Sequence, residues 1–361
     1  MIKGNSGEWS EVYALLKILS DKELYAGNSN LQKIVNVVYP VIEIIRNEKS
    51  STLHFSYKNG NVEIVKSDGN NYVIPIANFT NHALTLLTEI KNQKKKKGTF
   101  AVPTIEAFIN SFGANSIKAQ STVKSDIIIK IHDPRTNIEP TLGFSIKSEL
   151  GGDPTIMNAS QTTNFNYKIK GVTLSSSEIK YINSIDTKSK IQDRIARINH
   201  LGGKLELIGA MKQVFENNLV LIDSMLPQIL GNSLKYYFSA KAKKISDVVK
   251  LLSADNPCNF DMSLNHNFYE YKLKRLLMEV ALGMLPKTVW TGQYDVTGGY
   301  LVVKESGDII CYHIYNKYDF ENYLYNNTRF ETSSSTRNKF GTIYIAGGEQ
   351  YFNLNAQIRF I

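Results

Sequence analysis

Asp126-Ile127-Ile128-Ile129-Lys130-Ile131, followed after a turn by Leu142-Gly143-Phe144-Ser145-Ile146-Lys147, is the stretch on which the fold is decided. Its first half is β-branched and strand-like, Asp133-Pro134 and the residues to Pro140 supply turn chemistry, and its second half reads as another strand. Side chains alternate along a strand, so Ser145, Lys147 and Glu149 share one face while Phe144 and Ile146 take the other. If the two strands pair antiparallel, Asp126 comes to lie beside Lys147 at the same end of a hairpin. A carboxylate and an ammonium fixed side by side on a sheet suit metal-assisted phosphodiester hydrolysis. Asp126 would offer oxygen to Mg²⁺, a hard cation, and Lys147 would orient water and neutralise developing charge.

Working outward, residues 6–20 read as a helix capped by Ser6, with Glu8 at its positive end and Trp9, Val12, Tyr13, Leu16 and Leu19 at helical spacing. Leu31 to Glu48 also reads as helical, kinked at Pro40. Asn59-Gly60 between Thr52–Tyr57 and Asn61–Lys66 predicts a tight hairpin, and Tyr72–Ile76 a further strand. Leu84–Asn92 and Thr104–Phe112 are helical by pattern, and Asn164–Ile169 strand-like. From Ser177 to Gly283 the pattern is mainly helical, and from Lys287 strands return with Gly-Gly turns. The expected plan is a mixed α/β (α+β) chain: a nuclease core over 1–175, a mainly helical region over 176–286, and a β-rich region over 287–361 in which DNA recognition could reside.

The spacing of Asp126 and Ser145-Ile146-Lys147 resembles the PD-(D/E)xK nuclease signature, with Ser145 where an acid is usual. Glu149, on the same face, could replace that carboxylate as a second metal ligand beside Asp126. So could Glu8 or Glu11, if the first helix packs across this sheet edge. Read alone, Lys147 is a surface lysine on a strand, Glu8 and Glu11 a solvated helix face, and Glu149 a turn residue.

Three ordered blocks resemble the HpaII-type restriction endonucleases. They are Gly4-Asn5-Ser6-Gly7-Glu8-Trp9-Ser10-Glu11 with Leu24–Gly27; Gly143 to Gly152 with Pro154-Thr155, Asn158-Ala159-Ser160 and Thr163–Phe165; and the tail, Ser333–Arg337 through Asn355–Phe360. The resemblance implies a type II restriction endonuclease that cuts double-stranded DNA at a short palindrome with Mg²⁺. The family's namesake reads CCGG, a target that membership alone does not transfer. It also implies catalytic roles for Asp126 and Lys147, with Ser145 as the family's own variant. A palindrome favours a homodimer, since matching half-sites call for matching subunits, although a monomer cutting the strands in succession is the alternative. A cognate DNA methyltransferase would be the functional, not physical, partner.

Contacts to DNA are expected from Asn158, Ser160, Gln161, Thr162 and Asn164, which follow the catalytic strand closely, and from Ser335, Thr336 and Arg337. The bland alternatives are a helix cap or turn for the first group and an exposed loop for the second. Arg is the commonest reader of guanine, and the chain has only eight, of which Arg329 and Arg359 read rather as strand-surface charges. The six histidines show no metal-ligand pairing, and no Walker lysine loop or G-x-G-x-x-G occurs, which argues against ATP-driven restriction.

Composition is compatible with these expectations without selecting them. With 361 residues the chain can bury a sizeable core, and 42% hydrophobic residues including 20 Tyr and 16 Phe exclude a disordered chain. A net charge of +9 suits a polyanionic partner, though it is common elsewhere, and the dense run Lys94–Lys97 reads as a solvated loop. Two cysteines, Cys258 and Cys311, are too few for a disulfide framework. No apolar run reaches the roughly 18 residues of a membrane span, and no signal-like segment opens the chain, so a cytoplasmic protein is expected. Two rivals stand beside the restriction reading: a non-catalytic, sequence-specific DNA-binding protein on a nuclease fold, and a structure-selective repair nuclease.

Overall fold

The computed structural model describes residues 1–93, 98–118, 125–239 and 241–361, so the Lys94–Lys97 run lies outside the described residues. Helices and strands are mixed throughout. The chain divides into two compact units, Met1–Pro154 with Tyr294–Tyr323, and Thr155–Gln293 with Leu324–Ile361. This differs from a division at 175 and 286. The expected β-rich tail is shared between the units, because two of its strands complete the front sheet and the others pair elsewhere.

The first unit is built on a nine-stranded sheet. Along the chain come β1 (Glu23–Gly27), β2 (Lys33–Asn47), β3 (Thr52–Lys58), β4 (Asn61–Lys66), β5 (Asn71–Pro75), β6 (Ile127–Ile131) and β7 (Thr141–Ser148). The sheet order runs from β1 through Ile309–His313 and Gly299–Val303 to β7, then β6, β2, β3, β4 and β5. Gly299–Val303 lies parallel to β7, whereas β6 and β7 pair antiparallel with Ile127 opposite Phe144 and Ile129 opposite Leu142. Asn59 and Gly60 both have positive φ, 49° and 77°, the geometry a two-residue hairpin needs.

Residues 33–47 form a strand, not the helix expected from Leu31 to Glu48. Ile34, Val35, Val37, Val38, Val41, Ile42, Ile44 and Ile45 are stiff at χ1 and pack better on a pleated sheet. Pro40 is tolerated where the strand changes partners, from β1 on its first half to β6 and β3 on its second.

Helix α1 (Ser6–Asp21) matches the expected span, but its cap is Asn5, not Ser6. The Asn5 side chain accepts from the Glu8 N–H and Glu8 accepts from the Asn5 N–H, a reciprocal capping box. Trp9, Val12, Tyr13, Leu15, Leu16 and Leu19 are buried in one core with Phe55, Ile129 and Phe144. The Trp9 indole N–H donates to the Phe100 carbonyl at 3.0 Å, so that the large ring is buried without orphaning its polar atom. α2 (Ile76–Gln93) begins well before Leu84, and α3 is Pro103–Asn110.

The second unit holds an antiparallel sheet in the order Lys204–Ala210, Asn164–Lys170, Glu349–Asn355, Ile343–Ala346, and a three-stranded one of Thr328–Phe330, Ile358–Phe360 and Thr155–Met157. Six helices between Ser176 and Leu282 accompany them. The expected helical middle is therefore interrupted by the strand Lys204–Ala210. Among the described residues no helix is long and apolar enough to cross a membrane.

Candidate active site

The register of β6 against β7 builds the site. The Asp126 N–H donates to the Phe144 carbonyl at 2.8 Å, extending the ladder one residue beyond β6 and setting Asp126 beside Ser145. Asp126 Oδ2 then accepts from Ser145 Oγ at 3.0 Å and from the Ile146 N–H at 2.7 Å. Lys147, two residues further along the same face, donates from Nζ to Ser145 Oγ at 2.9 Å. The expected D…SxK pair is thus a continuous chain, carboxylate to hydroxyl to ammonium, with Ser145 as the buried link.

Helix α1 supplies a fourth member. Ser10 Oγ and Ser148 Oγ are 2.8 Å apart, which ties α1 to the end of β7. Glu11, the next residue, is pushed up to about 7, chiefly by burial and then by the charge of Asp126, against the opposing pull of Lys118 and Arg46. Burial lowers the Lys147 ammonium from its usual range, while Asp126 and then Glu11 act to hold it charged. Both residues therefore belong to one electrostatic cluster with Asp126.

Tyr300 adjoins the site without any local sequence signal. It stands opposite Ser145 on the parallel strand Gly299–Val303, fully buried, with Lys147 Nζ 4.9 Å from its ring centroid. That distance is within cation–π range. No local motif marks it, because the strand that carries it is about 150 residues away along the chain.

The other carboxylate candidates are engaged elsewhere. Glu8 closes the capping box and lies 3.8 Å from Lys118 Nζ. Glu149 follows the end of β7, and its Oε2 accepts from the Glu305 N–H at 3.1 Å. Among the described residues no three His, Cys, Asp or Glu side chains are grouped as a ready metal shell. Two carboxylates, Asp126 and Glu11, are nevertheless held close enough for one to raise the other. Oxygen donors gathered against their mutual repulsion fit a hard divalent cation.

The expected DNA contacts all fall in the second unit, and they divide. Ser160 caps the turn Gln161–Thr163 and is buried; Asn164 is buried too, donating to the Asn338 carbonyl at 2.9 Å and accepting from Asn355 at 2.7 Å. These two serve the fold, so the cap-or-turn alternative describes them. Asn158 and Gln161 are exposed and Thr162 is half-buried. Ser335, Thr336 and Arg337 form a single-turn helix capped by Ser334, with Thr336 and Arg337 exposed.

The profile of the family described as HpaII restriction endonuclease matches residues 5–360. The chain is 48% identical over 359 residues to a protein named "Type II restriction enzyme HpaII" from Haemophilus parainfluenzae, covering 99% of this chain and 98% of that one. No solved structure matches the chain.

Proposed function

The chain belongs to the HpaII restriction endonuclease family, and from that premise we propose that it cleaves duplex DNA at a short palindrome by Mg²⁺-dependent hydrolysis centred on Asp126, Ser145, Lys147 and Glu11. It is a site-specific endonuclease; the metal, the target and the residue roles are the proposal. The observation that carries it is the hydrogen-bonded series Asp126–Ser145–Lys147 on adjacent strands, whose carboxylate also raises the Glu11 carboxyl electrostatically.

Asp126 and Glu11 would hold the metal, with Glu11 taking the place first considered for Glu149. When bound, Mg²⁺ would polarise the scissile phosphate and make the attacking water more acidic. The protein's own groups do the remaining work. The Ile146 N–H and Ser145 Oγ fix the Asp126 carboxylate, so its free lone pairs keep one direction. Lys147 presents a charge whose position is set by Ser145 Oγ and the Tyr300 ring, so that it meets negative charge growing on the phosphate without reorganising. Its Nζ protons can also be donated toward the departing oxygen. Ser145 cannot supply the charge of the acid it replaces, and its contribution is alignment.

A two-fold homodimer would match a palindrome's half-sites, a cytoplasmic setting would give access to DNA, and a cognate methyltransferase would protect the host's own copies. CCGG, the namesake's target, is the first sequence to try. The test is incubation of the purified protein with unmethylated plasmid and Mg²⁺, then sequencing of the ends. Discrete fragments sharing a terminal motif are expected, with cleavage reduced at least about 100-fold in Asp126→Asn and in Lys147→Met. Full cleavage by both variants would refute the site, and specific retention of duplex without cleavage would refute the activity.

A further inference from the structure

Within the second unit lies a cavity of about 510 Å³ that contains none of Asp126, Ser145, Lys147 and Glu11. Lys188, Lys190 and Lys243 line it together with the polar run containing Ser335 and Thr336. Among the described residues no carboxylate lines it. Lys190 is held by Asp186 at 2.8 Å, but Lys188 and Lys243 have no ion-pair partner among the described residues. Two lysines without an ion-pair partner among the described residues thus share the lining of one recess with four serine and two threonine residues, and that recess is too large for one bare phosphate. Ile191, Tyr237 and Phe238 contribute apolar surface, but the unpaired lysines and the absence of a lining carboxylate among the described residues disfavour a cation and favour an anion.

We propose that this cavity takes backbone phosphates of duplex DNA, with Lys188 and Lys243 as the charges that meet them and Ser335 and Thr336 as hydrogen-bond donors. The inference rests on the duplex-DNA reading given above. Lysines act here as point charges, and such contacts carry no base information. They add affinity by displacing condensed counterions and make it salt-dependent. The cavity therefore contributes equally to matched and unmatched sequences, and it assigns Ser335 and Thr336 to the backbone instead of to base readout.

The test measures duplex binding by fluorescence anisotropy without divalent metal, from 50 to 200 mM NaCl, for a CCGG-containing and a scrambled duplex. Each phosphate contact contributes about 0.9 to the slope of log affinity against log salt. The Lys188→Gln/Lys243→Gln double variant should show a slope shallower by about 1 to 2, by the same amount on both duplexes. Lys49→Gln/Lys287→Gln, which removes the same net charge at two exposed positions, should leave the slope unchanged. An unchanged slope in the cavity variant, or an equal loss in the charge-matched control, overturns the proposal. A second arm measures protection of Lys188 and Lys243 from acetylation by duplex and by inorganic phosphate at constant ionic strength. Protection by duplex supports the assignment, and protection by phosphate alone overturns it in favour of a small-anion site. If the wild type binds with the expected slope yet cuts nothing, the catalytic reading fails and this one stands. Intact cleavage with an unaltered slope sinks this one alone.

Discussion

Replacing Glu11 by Gln should make the metal-free protein more stable, although it removes a residue from the centre of the site. In the folded chain the Glu11 carboxyl is raised from 4.5 to about 7, first by burial and then by Asp126. Between those values the native state holds a proton that the unfolded chain releases. The stability this lends is fully present below about pH 4.5 and is lost as pH rises through 7. A difference of about 2.5 pH units corresponds to about 3 kcal/mol. Gln has no proton to lose, so the variant should gain on the wild type by about that amount between pH 4.5 and pH 8. Urea unfolding of both proteins in EDTA at several pH values reads the difference directly. Adding Mg²⁺ at pH 8 should then reverse the order: the wild type gains about 2.7 kcal/mol when metal exceeds its Kd a hundredfold, and the variant much less. A difference between the proteins that is flat across pH would refute the electrostatic reasoning. Equal stabilisation of both by Mg²⁺ would refute Glu11 as a ligand.

Ser145→Ala should lower the cleavage rate about 100-fold with little change in DNA affinity, because Lys147 loses the acceptor that positions it; single-turnover kinetics separate the two effects. Ser145→Thr, which keeps a hydroxyl, should retain more activity than Ser145→Ala. His313 is buried, its Nε2 has no hydrogen-bond partner among the described residues, and burial pushes it down to about 4, so the native state resists a proton that the unfolded chain accepts near 6.5. Its contribution is intact above about pH 6.5 and is lost as pH falls to 4; unfolding free energies of wild type against His313→Asn should converge by about 3 kcal/mol over that window. Gly299 has φ of +110°, and a Cβ there would sit 2.0 Å from the Tyr312 carbonyl oxygen. Gly299→Ala should therefore cost at least about 3 kcal/mol in chemical denaturation, and a loss under 1 kcal/mol would show that the two strands yield easily.

Local chemistry made the hairpin of β6 and β7 readable before any coordinates, since β-branched runs, a Pro turn and alternation all agree there. The same holds for α1 and for the Asn59-Gly60 turn. Residues 33–47 misled because Pro40 inside an apolar run mimics a kinked helix, and only their pairing with β1, β3 and β6 makes the β-branched composition decisive. Asp126, Ser145 and Lys147 were legible as a unit because two strands bring them together. Glu11 could be narrowed only to one of three carboxylates, since the choice depends on how α1 docks through Ser10 and Ser148. Glu149 was placed on the correct face by alternation, but β7 ends at Ser148 and the loop at Glu305 takes its carboxylate. Tyr300 and the basic cavity were invisible for one reason: each is assembled from segments far apart in sequence.

That the strand Gly299–Val303 lies against β7 also bears on how the enzyme comes into being. A ribosome making this chain releases Asp126, Ser145 and Lys147 long before residues 299–303 of 361 exist to flank them. Until then the edge of β7 is unpaired, and Lys147 has no Tyr300 ring beside it. Closing so distant a contact is slow, and domains generally complete as units during synthesis. On the proposed site, a chain released before residue 299 should accordingly lack both the paired edge of β7 and the Tyr300 ring, so the capacity to cut should arrive late in synthesis.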